Sequence, residues 1–182
     1  MSEEATLQSV RGVGFSRYPN MTPSQLALEQ AQSACAAHKE ALVDALTDMD
    51  RRHLTPADID APAKDDRRLL DQFAYRFTRL QDDMGARLLP AILRSLGEDV
   101  AHMSVIDRLH RLEQLNWLDS ADEWLDLRRI RNEFSHDYPA TAEERFERLT
   151  LATQAAQRLL DILDVLTEKL HQRATSNPAT QP

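Results

Sequence analysis

Rows of apolar residues spaced alternately by three and four constrain the fold of this 182-residue chain more than any other feature. Such spacing places side chains on one face of an α-helix. The rows run through Leu28, Ala31, Cys35, His38, Leu42, Ala45 and Met49; Leu70, Phe73, Phe77, Leu80, Met84, Leu88 and Ala91; and Phe146, Leu149, Thr153, Ala156, Leu160, Leu163, Thr167 and Leu170. With only 4 glycines and no alternating strand pattern, the chain is predicted to be an all-α bundle of four to five helices.

Helix-start and helix-stop residues mark the two long helices of the first half. Thr22 followed by Pro23 is a typical N-cap and first helical residue, so the first helix is predicted to begin there. The proline-containing segment 53–64 is predicted to be a loop. A second helix is expected from about 65 to 96, kinked near Pro90, because proline removes a backbone hydrogen bond while the apolar spacing continues beyond it.

Capping pairs predict the starts of three further helices. The pairs are Ser104 with Asp107, Ser120 with Glu123, and Thr141 with Glu144. Gly97 is expected to close the second helix. In the third helix, Val105, Leu109 and Leu112 are expected to face inward. The fourth helix should end near residue 137 or 138, because the residue before Pro139 is disfavoured in the α conformation.

The same patterns divide the chain into three parts. Residues 1–20 contain glycines and few apolar groups, and are expected to form a flexible N-terminal arm. Residues 21–173 are predicted to fold as one helical domain. Residues 174–182 are polar, contain proline, and are expected to be disordered.

Charge and cysteine content limit the classes of function. The net charge is −8, so nucleic-acid binding would require a local cationic site, with modest and strongly salt-dependent affinity. The single cysteine, Cys35, rules out an internal disulfide and is typical of a reducing cytoplasm. No apolar run approaches the roughly 18 residues of a membrane span, and the acidic N-terminus does not resemble a signal peptide. We therefore expect a cytoplasmic protein with no membrane partner.

The segment from Arg131 to Pro139 carries the strongest functional signal. Arg131 lies in the row Trp124, Leu127, Arg131, Phe134 and Tyr138. A guanidinium in an otherwise apolar row is costly unless it meets an anion or a polar partner. Arg128, Asn132 and His136 follow one another at spacings of four and share an adjacent face. Because Pro139 ends the helix, the imidazole of His136 is expected at an open cleft.

These residue types suit the cleavage of RNA. Without a metal, this reaction needs a base for the 2′-hydroxyl proton, an acid for the leaving oxygen, and a cation for the charged phosphorus centre. Histidine can serve as base and acid, and arginine can bind phosphate oxygens. DNA lacks the 2′-hydroxyl and would be excluded. Arg131 and His136 from two copies related by a twofold axis would together supply a sufficient set.

The segment resembles the signature of the HEPN superfamily of small α-helical proteins: arginine, a polar residue, a short gap and histidine. Arg131, Asn132 and His136 match it, and Tyr138 extends the match to the Arg-x4-His-x-Tyr form of HepT toxins from HepT/MntA type toxin–antitoxin modules. The resemblance implies an HEPN-like bundle, a homodimer with facing motifs, and metal-independent endoribonuclease activity without a cofactor. It also implies a minimal nucleotidyltransferase antitoxin that adds AMP to Tyr138.

Alternative interpretations remain open for these residues. Arg131 and His136 could belong to an ion-pair network with Glu133 and Asp137, and Tyr138 could be a simple interface aromatic. The whole protein could be a catalytically inactive HEPN-type binding subunit that partners a nucleotidyltransferase.

Residues elsewhere have simpler expected roles. His38 is interpreted as a core or interface histidine, Trp117 and Trp124 as core or dimer anchors, and Arg145 and Arg148 as a solvated face or a phosphate-binding rim.

Overall fold

A computed structural model describes residues 21–136 and 141–176 of the chain. These residues form helices joined by turns and contain no strand, which confirms the all-α prediction. The helices are α1 (Pro23–Arg52), α2 (Pro56–Asp60), α3 (Lys64–Asp83), α4 (Leu89–Ser95), α5 (Val105–Gln114), α6 (Ala121–His136) and α7 (Ala142–Ser176). The predicted arm, residues 1–20, and the tail beyond residue 176 lie outside the described residues.

A π-helical turn, Met84–Leu88, joins α3 to α4 in one continuous helical rod. The described residues therefore form six rods, and the expected number of four to five was too low. The turn lies where Pro90 was predicted to disturb the helix. Pro90 has no N–H for the carbonyl of Ala86, and the N–H of Leu89 reaches back to the carbonyl of Met84. Gly97 closes the rod in the left-handed region, with φ of 89°.

The additional rod is the short helix α2, which lies in the segment predicted to be a loop. The carboxylate of Asp58 accepts hydrogen bonds from the backbone N–H and the hydroxyl of Thr55, at 2.8 and 2.6 Å. Pro56 occupies the first turn, where its missing N–H costs nothing. The loop prediction was wrong because Pro56 is a helix-starting residue here.

Two of the three predicted capping pairs form reciprocal hydrogen bonds, Ser104 with Asp107 and Thr141 with Glu144. Thr22, predicted as the N-cap of α1, forms a further reciprocal pair with Gln25. At α6 only half of the predicted box forms. The hydroxyl of Ser120 accepts from the N–H of Glu123 at 3.1 Å, but the Glu123 carboxylate binds Arg158 of α7 instead of the cap.

The helix pairs on each side of the core run antiparallel. Arg52 near the end of α1 pairs with Asp66 near the start of α3, and His38 in the middle of α1 meets Asp83 at the end of α3. α6 and α7 also run antiparallel: Glu123 near the start of α6 pairs with Arg158, whereas Glu133 near its end accepts from Arg148, which comes earlier in α7. α3 contacts both α1 and α6.

The core follows most of the predicted apolar rows, and Val105 is a local difference. Its largest fully buried side chains include Phe73, Phe77 and Leu42. Val105 was expected to face inward but is 48% exposed, whereas Leu109 and Leu112 are buried as predicted. Because Val105 immediately follows the cap of α5, it precedes the part of the helix that packs on the core.

α7 continues to Ser176, beyond the predicted boundary at Arg173. The hydroxyls of Thr175 and Ser176 donate to the carbonyl of Gln172, which gives the last turn local hydrogen bonds that a composition-based prediction does not include. Among the described residues, none of the helices is both long and apolar enough to span a bilayer.

A polar cluster around His38 links α1 to α3. Arg76 donates to Nδ1 of His38 at 3.1 Å, and Nε2 of His38 lies 3.3 Å from the carboxylate of Asp83. A guanidinium cannot accept a hydrogen bond, so Nδ1 accepts and the proton of the neutral ring lies on Nε2. Burial lowers the pKa of His38 below its usual 6.5; nearby Arg76 and Arg79 also lower it, against the opposing effect of Asp83. His38 is therefore a part-buried histidine, as the sequence predicted, with partners that the sequence did not identify.

We predict that His38 makes the fold sensitive to mild acid. Because its pKa is lower when folded than when unfolded, its contribution to stability is complete above about pH 6.5 and is lost as the pH falls below that value. Denaturant unfolding at about pH 7.5 and pH 5.5 should show a smaller acid-induced loss of stability in His38→Gln than in the wild type. His102→Gln, which changes an exposed histidine, is the control; an equal loss in all three proteins would contradict the prediction.

Candidate functional site

The C-terminal half of α6 is fixed against α3 by an aromatic contact. The ring of Phe134 packs edge-on against Phe73, at a centroid distance of 5.7 Å, and lies 6.5 Å from Phe77. One residue further along, the hydroxyls of Ser135 and Thr78 are 3.3 Å apart. These contacts determine which face of α6 meets α3, and so place the side chain one turn earlier, that of Arg131.

The N-terminal half of α6 is fixed against the π-helical turn by Trp124, which is 2% exposed. A Cβ atom on Gly85 would lie 3.4 Å from Cζ2 of this indole, an ordinary van der Waals distance, so the indole packs directly against the turn. The sequence-based interpretation of Trp124 as a core anchor is consistent with this burial, and Trp117 is only partly buried at the edge of the core.

Arg131 meets α3 through two polar contacts. Its Nε donates to Oε1 of Gln81 at 2.8 Å, and its Nη2 donates to the carboxylate of Asp82 at 2.6 Å. The side chain of Arg131 is 13% exposed, and that of Asp82 is 43% exposed. The guanidinium in the apolar row thus has the anionic partner that the sequence required. That partner is not Glu133, whose carboxylate binds Arg129.

The other predicted site residues are only partly brought together. Arg128 and Asn132 are exposed on α6; Arg128 lines the same cleft as Arg131, whereas Asn132 does not. α6 is described as far as His136, so its predicted end near residue 137 or 138 falls outside the described residues, as does the side chain of His136. The AMP-acceptor candidate Tyr138 and the suggested network partner Asp137 also fall outside the described ranges.

A cleft of about 150 Å³ lies between the α3–α4 rod, α5 and α6. Its apolar walls include Leu89, Pro90, Leu109, Leu112, Val105 and Trp124. Its polar lining is Gln81, Asp82, Arg108, Arg128 and Arg131. Three guanidinium groups against one carboxylate make the polar side of the cleft cationic, on a chain whose net charge is −8.

Two buried nitrogens in the cleft lining lack a hydrogen-bond partner among the described residues: Nε2 of Gln81 and Nε of Arg108. Gln81 is 2% exposed, and Nη2 of Arg108 is bound to the carbonyl of Val100 at 3.0 Å. A buried donor without a partner is costly, and in native proteins such groups are uncommon away from functional sites. Both of these unpaired donors belong to residues that line the cleft.

Sequence reasoning missed Gln81 and Arg108. Gln81 follows Phe77 by four residues in an apolar row, so it satisfies the same criterion that drew attention to Arg131. Arg108 had no such signal, because its contribution arises from the packing of α5 against α4 and α6.

The remaining charged candidates have structural contacts. Arg145 pairs with Asp60, and Arg148 donates to the carbonyl of Glu133 at 3.3 Å. Within residues 21–136 and 141–176, no group of three or more His, Cys, Asp or Glu side chains is arranged to hold a metal ion.

Comparison with protein-family models, with curated proteins and with solved structures finds no match for this chain. The resemblance to HEPN proteins thus depends on the motif around Arg131 and on the all-α fold.

We predict that Arg131 and Asp82 are energetically coupled. Arg131→Met and Asp82→Asn, made singly and together, should give a coupling free energy of about 1 to 2 kcal/mol in denaturant unfolding, because the pair is partly shielded from water. The exposed pair Arg129 and Asp126 is the matched control on the same helix. Its coupling should stay below about 0.5 kcal/mol. Equal coupling in the two cycles would show that the Arg131 contact is an ordinary surface ion pair.

Proposed function

We propose that this protein is a metal-independent endoribonuclease toxin of a toxin–antitoxin module, with HEPN-like architecture and a composite site at a homodimer interface. Arg131 and His136 are its catalytic residues, and Arg128 and Asn132 support them. The observation that carries the proposal is Arg131. It is a nearly buried guanidinium, held in a fixed orientation at the wall of a cationic cleft, one turn and a half before a histidine at the end of the same helix.

The hydrogen bonds of Arg131 favour a role in binding phosphate. Nε and Nη2 are occupied by Gln81 and Asp82, whereas Nη1 has no hydrogen-bond partner among the described residues. A guanidinium held by neighbouring side chains loses little conformational entropy when an anion binds to it. Arg128 adds a second positive charge at the more exposed side of the cleft. Together they would stabilise the charge that develops on the phosphorus centre.

His136 would transfer protons in this reaction. As base it takes the proton of the 2′-hydroxyl, the resulting oxyanion attacks the adjacent phosphorus, and the bond to the 5′-oxygen breaks. A second His136, from the other subunit, would protonate that leaving oxygen. The products would be a 2′,3′-cyclic phosphate and a 5′-hydroxyl. A homodimer supplies both imidazoles, and the exposed apolar residues Val105 and Ile106, 48% and 52% exposed next to the cleft, support a protein contact there.

A catalytically inactive HEPN-type binding subunit is the second candidate function. The ion pair between Arg131 and Asp82 favours it, because a guanidinium already neutralised by a carboxylate within its own subunit has a structural role. In that case the cleft binds a ligand without cleaving it. Both candidates include a minimal nucleotidyltransferase as a partner, so RNA cleavage is the measurement that separates them.

We predict that Arg131→Ala and His136→Ala each reduce RNA cleavage by about 100-fold or more, because each removes a group that acts on the transition state. Purified wild-type protein should release 2′,3′-cyclic phosphate ends, and a 2′-deoxy substitution at the cleaved nucleotide should block the reaction. Growth arrest on expression should be lost in parallel.

Arg129→Ala is the matched control for these variants. It removes an exposed arginine of the same helix, paired with Asp126 and Glu133, and should leave cleavage unchanged. Circular dichroism and sedimentation should show that all variants remain folded and dimeric. If folded Arg131→Ala and His136→Ala proteins cleave RNA at the wild-type rate, the assignment of the site is wrong.

A separate prediction concerns the proposed modification of Tyr138. Tyr138→Phe should retain toxicity but resist neutralisation by the cognate nucleotidyltransferase, because it lacks the hydroxyl that accepts AMP. Mass spectrometry of the co-expressed proteins should detect added AMP units on the wild type and none on the variant. AMP addition to Tyr138→Phe at the wild-type level would assign the modification to another residue.

A further inference from the structure

We propose that the cleft beside Arg131 is a specificity subsite that holds one pyrimidine ring of the RNA substrate and prefers uracil, with Gln81 as the specificity-determining residue. This inference rests on the proposed ribonuclease function and extends it to the choice of the nucleotide.

The orientation of the Gln81 amide follows from its contact with Arg131. Nε of Arg131 can only donate, so the atom of Gln81 that it contacts at 2.8 Å must be the carbonyl oxygen. The amide nitrogen is consequently the buried atom of this lining residue that has no hydrogen-bond partner among the described residues. Gln81 cannot turn its amide round to offer an acceptor without breaking its bond to Arg131. It therefore selects ligands that present an acceptor.

Arg108 supplies a second fixed donor. Its Nη2 is held by the backbone carbonyl of Val100, which restrains the guanidinium, and its buried Nε has no hydrogen-bond partner in the described part of the chain. Gln81 and Arg108 belong to different helices and line the same cleft. A ligand with two carbonyl oxygens could satisfy both donors.

The size and walls of the cleft indicate a single flat ring. A volume of about 150 Å³ corresponds to a cavity that accommodates one benzene ring. The side chains of Trp124, Leu109 and Pro90 supply apolar surface for such a ring. Among the RNA bases, uracil and cytosine have one ring. Uracil carries two carbonyl oxygens, whereas cytosine replaces one of them with an amino group that would face a donor.

The neighbouring charges place this ring next to the proposed chemistry. Arg131 is hydrogen-bonded to Gln81 itself, so a base bound by Gln81 lies beside the guanidinium proposed to bind phosphate. Arg128 lines the same cleft and would bind an adjacent phosphate of the RNA chain. Base recognition by Gln81 and phosphate binding by Arg131 thus depend on two side chains that are hydrogen-bonded to each other.

Fluorescence of Trp124 provides a direct test of binding. The chain has 2 tryptophans, and Trp117→Phe leaves Trp124, in the cleft wall, as the only indole. Titration of this protein with uridine monophosphate should change the fluorescence saturably, and cytidine monophosphate should bind about tenfold more weakly, because it leaves a buried donor unpaired. Calorimetric titration of the wild-type protein with the same two nucleotides checks the result without the tryptophan substitution.

Two substitutions test the residues of the subsite. Gln81→Glu keeps an oxygen for Arg131 but removes the amide donor, and should abolish the preference for uridine. Ala86→Leu places a larger side chain in the cleft lining and should weaken both nucleotides about tenfold or more. Ala27→Leu makes the same change on an exposed face of α1, away from the cleft, and should leave binding unchanged.

Cleavage mapping on RNAs that differ at one position then relates the subsite to the reaction. The wild type should cleave next to uridine, and the cleavage that remains in Gln81→Glu should show no preference for uridine. Equal binding of the two nucleotides, or equal responses in Ala86→Leu and Ala27→Leu, would overturn the proposal. If the protein binds uridine monophosphate but cleaves RNA without preference for uridine, the cleft binds free nucleotides and is not a substrate subsite. This result would also overturn the proposal. A wild type that cleaves with no uridine preference refutes the subsite alone, whereas one that binds uridine monophosphate but never cleaves RNA refutes the proposed ribonuclease function.

Discussion

The contact between α3 and α6 is the constraint on which the candidate site depends. Phe134 against Phe73 fixes the rotation of α6, and Trp124 against Gly85 fixes its distance from the rod. Between these two contacts, the geometry of an α-helix leaves Arg131 facing Gln81 and Asp82. Burial of the aromatic groups provides the free energy that holds a charged group at this depth, which the charged group could not provide itself.

The acidic background of the chain explains why the cleft is distinctive. Several arginines elsewhere are matched by carboxylates, as Arg158 is by Glu123 of α6 and Arg111 by Glu98, which follows α4, and these contacts hold the pKa of both glutamates below their usual values. In the cleft lining, one carboxylate faces three guanidinium groups. On a protein with a net charge of −8, such a local excess of positive charge is the feature that would attract a polyanion, and its short range makes the attraction sensitive to salt.

The sequence predicted the local structure better than the site. Caps such as Thr22 and Ser104 depend on neighbouring residues, so both could be identified without a fold. The short helix α2 was missed because Pro56 can start a helix or break one, and the hydrogen bonds of Asp58 decide between the two. Arg131 could be singled out as a charge in an apolar row. Its partner could not, because Asp82 lies 49 residues away in the chain and meets Arg131 only through the packing of two helices.

The ion pair between Arg131 and Asp82 need not prevent phosphate binding, because its two members differ in their access to water. The side chain of Asp82 is 43% exposed and can be hydrated again if a phosphate displaces it, whereas Arg131, at 13%, cannot. Arg131 would therefore exchange one anion for another while its Nε remains bound to Gln81. Gln81 keeps the guanidinium in place through this exchange, and the orientation of its own amide is kept with it. The buried Gln81 can thus couple the occupancy of the cleft to the orientation of Arg131. A change in the contact of Gln81 with a ligand would also change its hydrogen bond to Arg131.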